Sequence, residues 1–215
     1  MRKKINFNMK PALLILLAVM LVSYACTRVE DNSRSGSLLV VTSVTGIIGQ
    51  DKTEGSPLLS DTCDSTLTEN PNQDPQFCTV FNDNASITFS NEYLQIGPGA
   101  GIQQGSFLND IIVNQYRVDY FRSNGRNTPG VDVPYGIDGT MNVRVPLNQT
   151  TTGAIVVVRH EAKREPPLSE LDNGTAEEVI TAQAQMKFYG QDLAGHTVSA
   201  IGYLEIHFGN FGEAQ

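Results

Sequence analysis

Tryptophan is absent from the 215 residues, cysteine occurs only three times, and charged side chains make up just 18%. Lys and Arg number 15 against 23 Asp and Glu, a formal charge of −8. A chain so short of cations is poorly equipped to displace counterions, which argues against a nucleic-acid partner. Beyond the first 26 residues only two cysteines, Cys63 and Cys78, remain for a Cys-based zinc site, and His160, His196 and His207 are scattered without metal-ligand spacing, so no metal is expected. Nucleophile elbows of the G-x-S-x-G kind are missing, and the glycines of GPGAGIQQG (97–105) do not run into Lys-Ser or Lys-Thr as a phosphate loop would. No catalytic residue and no cofactor are therefore expected. Long apolar runs are lacking too: none reaches the roughly 18–20 residues of a spanning helix. What remains is a 40% hydrophobic chain, too apolar for disorder and long enough for one full-sized domain.

The N-terminus carries an address. Arg2, Lys3, Lys4 and Lys10 precede an unbroken apolar run over 12–22, which would rise only about 16 Å as a helix, half a bilayer core. That is the build of a signal peptide. Its end, Ser23-Tyr24-Ala25-Cys26, resembles the lipobox of bacterial lipoproteins, with Ser23 where that family usually has Leu and Tyr24 where it has Ser, Ala or Thr. The resemblance implies cleavage before Cys26, a diacylglycerol on its thiol and, with Thr27 rather than Asp following, residence at the outer membrane. Several acyl chains hold a protein there durably. Removal of 1–25 takes four cations and no anion, leaving 11 basic and 23 acidic side chains, net −12. Such a domain is repelled by anionic headgroups, so the lipid must do the anchoring. Residues 26–36 are polar and aperiodic and read as a flexible tether; 37–215 form the domain.

In an exported chain the remaining pair, Cys63 and Cys78, is most simply one disulfide closing a polar excursion rich in Asn, Asp and Pro. A redox pair would need C-x-x-C spacing, which is absent.

The domain reads as strands. LLVVTSV (38–44) is β-branched and stops at Gly46. Alternation marks 85–90 and 141–145, 111–121 is a longer strand, and AIVVV (154–158) is apolar on both faces and expected to be central. Ile180, Ala182, Ala184, Met186 and Phe188 share one face of a strand, as do Val198, Ala200, Gly202, Leu204, Ile206 and Phe208. A hairpin turning through 191–195 would set Phe188 opposite Val198, Met186 opposite Ala200 and Ala182 opposite Leu204. A competing helix over 176–185 loses to the strict alternation, with a helical turn before Val179 left open. FYGQDLAGHTVSA resembles the last hairpin of bacterial immunoglobulin-like domains, whose turn often reads D-x-A-G-N; Asp192, Ala194 and Gly195 match and His196 replaces the Asn. The expectation is an all-β fold, an immunoglobulin-like antiparallel β-sandwich with one disulfide and long loop insertions at the disulfide excursion, 97–101, 124–139 and 165–175.

For recognition, residues 122–138 stand out: 17 residues without expected structure, holding Arg122, Arg126 and Tyr135, types favoured at binding hot spots. Pro129 and Pro134 stiffen the segment, lowering the entropy lost on binding. A packed crossover between sheets explains the same segment equally well. Asp61, Asp64, Asp83, Asp132 and Asp138 could converge on calcium, although no EF-hand loop is present. The expected function is a non-catalytic envelope interaction or scaffolding module; the alternative is a surface glycan-binding or adhesin domain, calcium-dependent in one version.

Overall fold

Each alternating or β-branched stretch forms a strand in the structure, a computed structural model describing residues 35–49, 52–63, 79–93, 105–171 and 179–211. The leader, the tether through 34, Cys26, Asp64, Cys78 and the glycines at 97–101 lie outside the described residues. All described residues belong to a unit beginning at Ser35, two residues before the expected boundary.

The strands are β1 (Ser37–Ile47), β2 (Glu54–Gly55), β3 (Leu58–Asp61), β4 (Asp83–Tyr93), β5 (Ile111–Phe121), β6 (Ile137–Val145), β7 (Thr150–Val158), β8 (Val179–Asp192) and β9 (Thr197–Gly209). One short helix, α1 (His160–Lys163), follows β7. One sheet has the order β2-β1-β4-β7 and the other β3-β9-β8-β5-β6, and the two pack as a β-sandwich. Neighbours are antiparallel except β3, which runs parallel to β9. Ile87 and Phe89 face Met186, Phe188, Ile206 and Phe208 in a core where all are fully buried. Across it, the Phe89 and Phe188 rings meet edge to face, centroids 4.9 Å apart, the arrangement their quadrupoles favour.

Three expectations need correction. The β8–β9 register is shifted by two: Phe188 faces Ala200, Met186 faces Gly202 and Ala184 faces Leu204. A slip of two preserves every side chain's face, so the alternation could not detect it. The turn decides it. Asp192 N–H bonds the His196 carbonyl at 2.9 Å and Gly195 adopts φ +93°, leaving a three-residue loop that only glycine closes comfortably.

The AIVVV strand is not central: β7 is an edge of its sheet. Consecutive Val157 and Val158 are both buried because a bulge interrupts the pairing between Asp83 and Asn84 of β4. Val157, left out of register there, gives its carbonyl to the Tyr120 hydroxyl from the opposite sheet at 2.5 Å. Burial without a partner for the phenolate pushes the Tyr120 hydroxyl's pKa up.

β6 also begins at Ile137, earlier than expected, so the loops read at 122–138 and 124–139 end at Gly136. β2, β3 and α1, too short to show periodicity, had no sequence signal of their own.

Strand direction defines two poles. Ser35, the start of β1, the start of β5 and the Asp192–His196 turn share one: Ser35 Oγ donates to Asp192 Oδ2 at 2.7 Å, and Leu193 N–H donates to the Asp110 carbonyl at 3.0 Å. The end of β5, residues 122–136 and α1 occupy the other, roughly 35 Å away by the rise of an eleven-residue strand.

Candidate functional site

Residues 122–136 leave the end of β5 and return into β6, and their backbone is organised by Asp132. Its carboxylate accepts from the Thr128 amide at 3.1 Å and from Arg126 Nε at 3.0 Å. The Thr128 amide first, then Arg126, holds that carboxyl below the ordinary aspartate value. The Asp132 amide in turn donates to the Thr128 carbonyl at 2.8 Å, and Asn127 Oδ1 accepts the Arg122 amide at 2.6 Å. Val133 and Pro134 are buried, pinning the segment to the core edge. The segment is not a crossover between sheets, because β5 and β6 are antiparallel neighbours in one sheet. It is a long hairpin connection whose middle packs on the core edge, while Val131 and Tyr135 project outward, 64% and 53% exposed.

Of the three expected binding residues, Arg126 faces solvent while engaged with Asp132, and Tyr135 lies over Gly130. Gly130 has φ +76°, and a Cβ there would stand 2.3 Å from the Tyr135 hydroxyl oxygen. Arg122 borders an open depression of about 450 Å³, lined also by Phe121, Ser123, Thr181, Ala182, Gln183 and Glu205. The loop residues Arg126 and Tyr135 do not line it.

This depression lies on the outer face of the five-stranded sheet. The even positions of β8 and most even positions of β9 point inward, so their odd positions face solvent. Phe121, Tyr189, Ile201 and Tyr203 are each between 41% and 50% exposed there, among Gln183, Gln185 and Thr181. A second depression of about 360 Å³ lies on the same sheet beside Gln115, Tyr116, Asp138, Thr140 and Tyr189. Sequence reasoning missed this face because it attended to the buried half of the alternation. A signal existed: Tyr189, Ile201 and Tyr203 fall in the half that should have been polar.

Of the aspartates proposed for calcium, the described ones, Asp61, Asp83, Asp132 and Asp138, do not gather into a metal-binding cluster. Asp83 is buried against Lys163, Asp132 is held by Arg126 and Thr128, and Asp138 pairs with Arg117 at 2.8 Å. Asp61 Oδ1 accepts the amides of Cys63 and Phe211. Among the described residues, no three His, Cys, Asp or Glu side chains gather as metal ligands would. His160 and Glu161 form a surface pair at 3.2 Å beginning α1. No family model matches the chain, and no curated protein matches it significantly.

Proposed function

We propose that the protein is a lipid-anchored module of the bacterial outer membrane that binds a partner without transforming it. The observation that carries the reading is the placement of the exposed aromatic and hydrogen-bonding side chains. They sit on the outer sheet face and on the loop 122–136, and that loop lies at the pole opposite Ser35. A tether from a lipidated Cys26 to Ser35 would hold the Asp192–His196 pole toward the membrane and present the loop outward. The loop is already shaped by its own hydrogen bonds, so little ordering entropy opposes binding.

Strand order supports the finer fold assignment, an immunoglobulin-like sandwich. The chain pairs β1 with β4, passes to β3 alongside the final strand β9, and closes with the β8–β9 hairpin beside β5 and β6. In this reading Cys63, just past β3, forms a disulfide with Cys78.

The anchor is tested by Cys26→Ser: the variant should remain unprocessed or become soluble, and unchanged membrane fractionation and mass would overturn it. The partner reading is tested by photo-crosslinking in intact cells from position 135 or 131. One defined envelope product is expected from these sites and none from position 152, exposed on the other sheet. Equal labelling from all three sites would defeat it. The alternative, a surface glycan as partner, is favoured by one observation, the depression beside Phe121.

A further inference from the structure

Strand register arranges the outer face of β5, β8 and β9 in rows. Phe121 stands beside Gln183, and Gln183 beside Glu205. One step along the strands, Asp119 stands beside Gln185, and Gln185 beside Tyr203, with Gln185 Nε2 donating to the Tyr203 hydroxyl at 3.0 Å. The next row is Arg117, Lys187 and Ile201. Aromatic rings and planar amide or carboxylate groups thus alternate across the outer face of paired strands. From Phe121 to Tyr203, two strands across and one row along, the distance is roughly 12 Å.

That pattern selects among ligands. A protein partner would be expected to meet a contiguous apolar centre, but here each ring is separated from the next by hydrogen-bonding side chains. An anion would find Arg122 and Lys187 near the depression, but it would also meet Asp119 and Glu205 on a domain of net charge −12. Arg117 offers it little, being bound by Asp119 at 2.9 Å and Asp138 at 2.8 Å. A small apolar compound would leave the amides and hydroxyls around the depression without partners. A pyranose satisfies both kinds of group at once, laying its C–H face on a ring while its hydroxyls bond the amides and carboxylates beside it.

We infer that this face, from the Phe121 depression to Tyr203, binds a neutral linear oligosaccharide. Phe121 supplies the stacking surface for one sugar ring, and Gln183 and Glu205 bond its hydroxyls. Tyr203 and Gln185 engage a second ring further along the oligosaccharide, not the adjacent one, since the two aromatics stand farther apart than neighbouring sugars do. No cation is needed in this arrangement. The inference rests on the binding-module reading above and names its ligand.

The test uses the intact mature chain against an array of linear glucose, mannose, xylose and galactose oligomers, followed by calorimetric titration of the strongest. Binding to at least one neutral oligomer is expected, unchanged by chelator. Phe121→Ala and Gln183→Ala should each weaken it about tenfold or more. Thr152→Ala, at an exposed position of the other sheet, should leave it intact. Both sheet-face side chains lie outside the core, and an unchanged unfolding midpoint verifies that each variant is folded. Binding to none of the neutral oligomers, to charged glycans only, or with full strength in both variants overturns the inference. The crosslinking experiment from position 135 reads a different surface, so the broader reading survives or falls separately.

Discussion

Lys163 Nζ lies 2.8 Å from Asp83 Oδ2, and both side chains are only 2% exposed. The same carboxylate accepts the Gly49 amide at 2.9 Å and the Ser60 hydroxyl at 2.7 Å. One buried ion pair thereby ties together the loop after β1, β3, the start of β4 and α1. A four-residue helix has no stability of its own, so the pair and the burial of Leu168 and Leu171 hold this segment in place.

Breaking that pair from one side leaves an uncompensated buried charge. Lys163→Met should cost about 3–5 kcal/mol, whereas the double change Lys163→Met with Asp83→Asn should cost clearly less. Denaturant unfolding of the wild type, the single variant and the double variant measures both. A single variant as stable as the wild type would show that the pair contributes nothing to the fold.

The latch also marks where the sequence was legible and where it was not. Strands long enough to repeat their pattern, such as 111–121 and 180–188, announced themselves through side-chain period. Pairings between remote residues left no such trace. Asp83 and Lys163 are eighty positions apart, and nothing in the local sequence around either points to the other. The hairpin register escaped because a slip of two keeps every face unchanged, leaving only turn geometry to fix it. The same bias hid the sheet-face depression: Phe121 read simply as the end of a long strand, and Gln183 and Glu205 fell on the faces opposite the apolar ones. Their adjacency is a product of register, which the sequence specifies only through the turn.

At the opposite pole, Asp192 should make acid stability depend on pH. Burial disfavours its charge, but hydrogen bonds from Ser35 and from the His196 amide and ring outweigh burial and hold its carboxyl below the ordinary value of 3.8. A carboxyl depressed in the folded state contributes stability that is fully present above the unfolded value and disappears as pH falls through the folded one. Unfolding midpoints should therefore decline as pH drops below about 4, and Asp192→Asn should flatten part of that decline. Parallel pH profiles for the two proteins would contradict this.

Gly130 offers a test of loop shape without touching the core. Its φ of +76° disfavours any other residue, and the Tyr135 ring occupies the space a Cβ would take. Gly130→Ala should cost about 1–3 kcal/mol in local strain and displace Tyr135. Limited proteolysis within 122–136 should speed up while global unfolding shifts less. Unaltered cleavage would mean that the loop's conformation does not depend on this contact.

The proposed disulfide would link fold to compartment. Cys63 follows β3 at once, its amide bonded to Asp61 Oδ1 at 3.2 Å, and β3 is a strand of only four residues against β9. A bridge to Cys78 would close a loop of about 15 residues and stabilise the domain by about 3 kcal/mol, chiefly by restricting the unfolded chain. Cys63→Ser with Cys78→Ser should lower the unfolding free energy by that amount while leaving the strand content measured by circular dichroism intact. Alkylation of the exported protein before reduction should label neither thiol, and alkylation after reduction should label both. The same chain retained in the cytosol by deletion of 1–25 should react at both positions without reductant. Free thiols in the exported form would remove the disulfide, and with it the simplest reason for the paired cysteines.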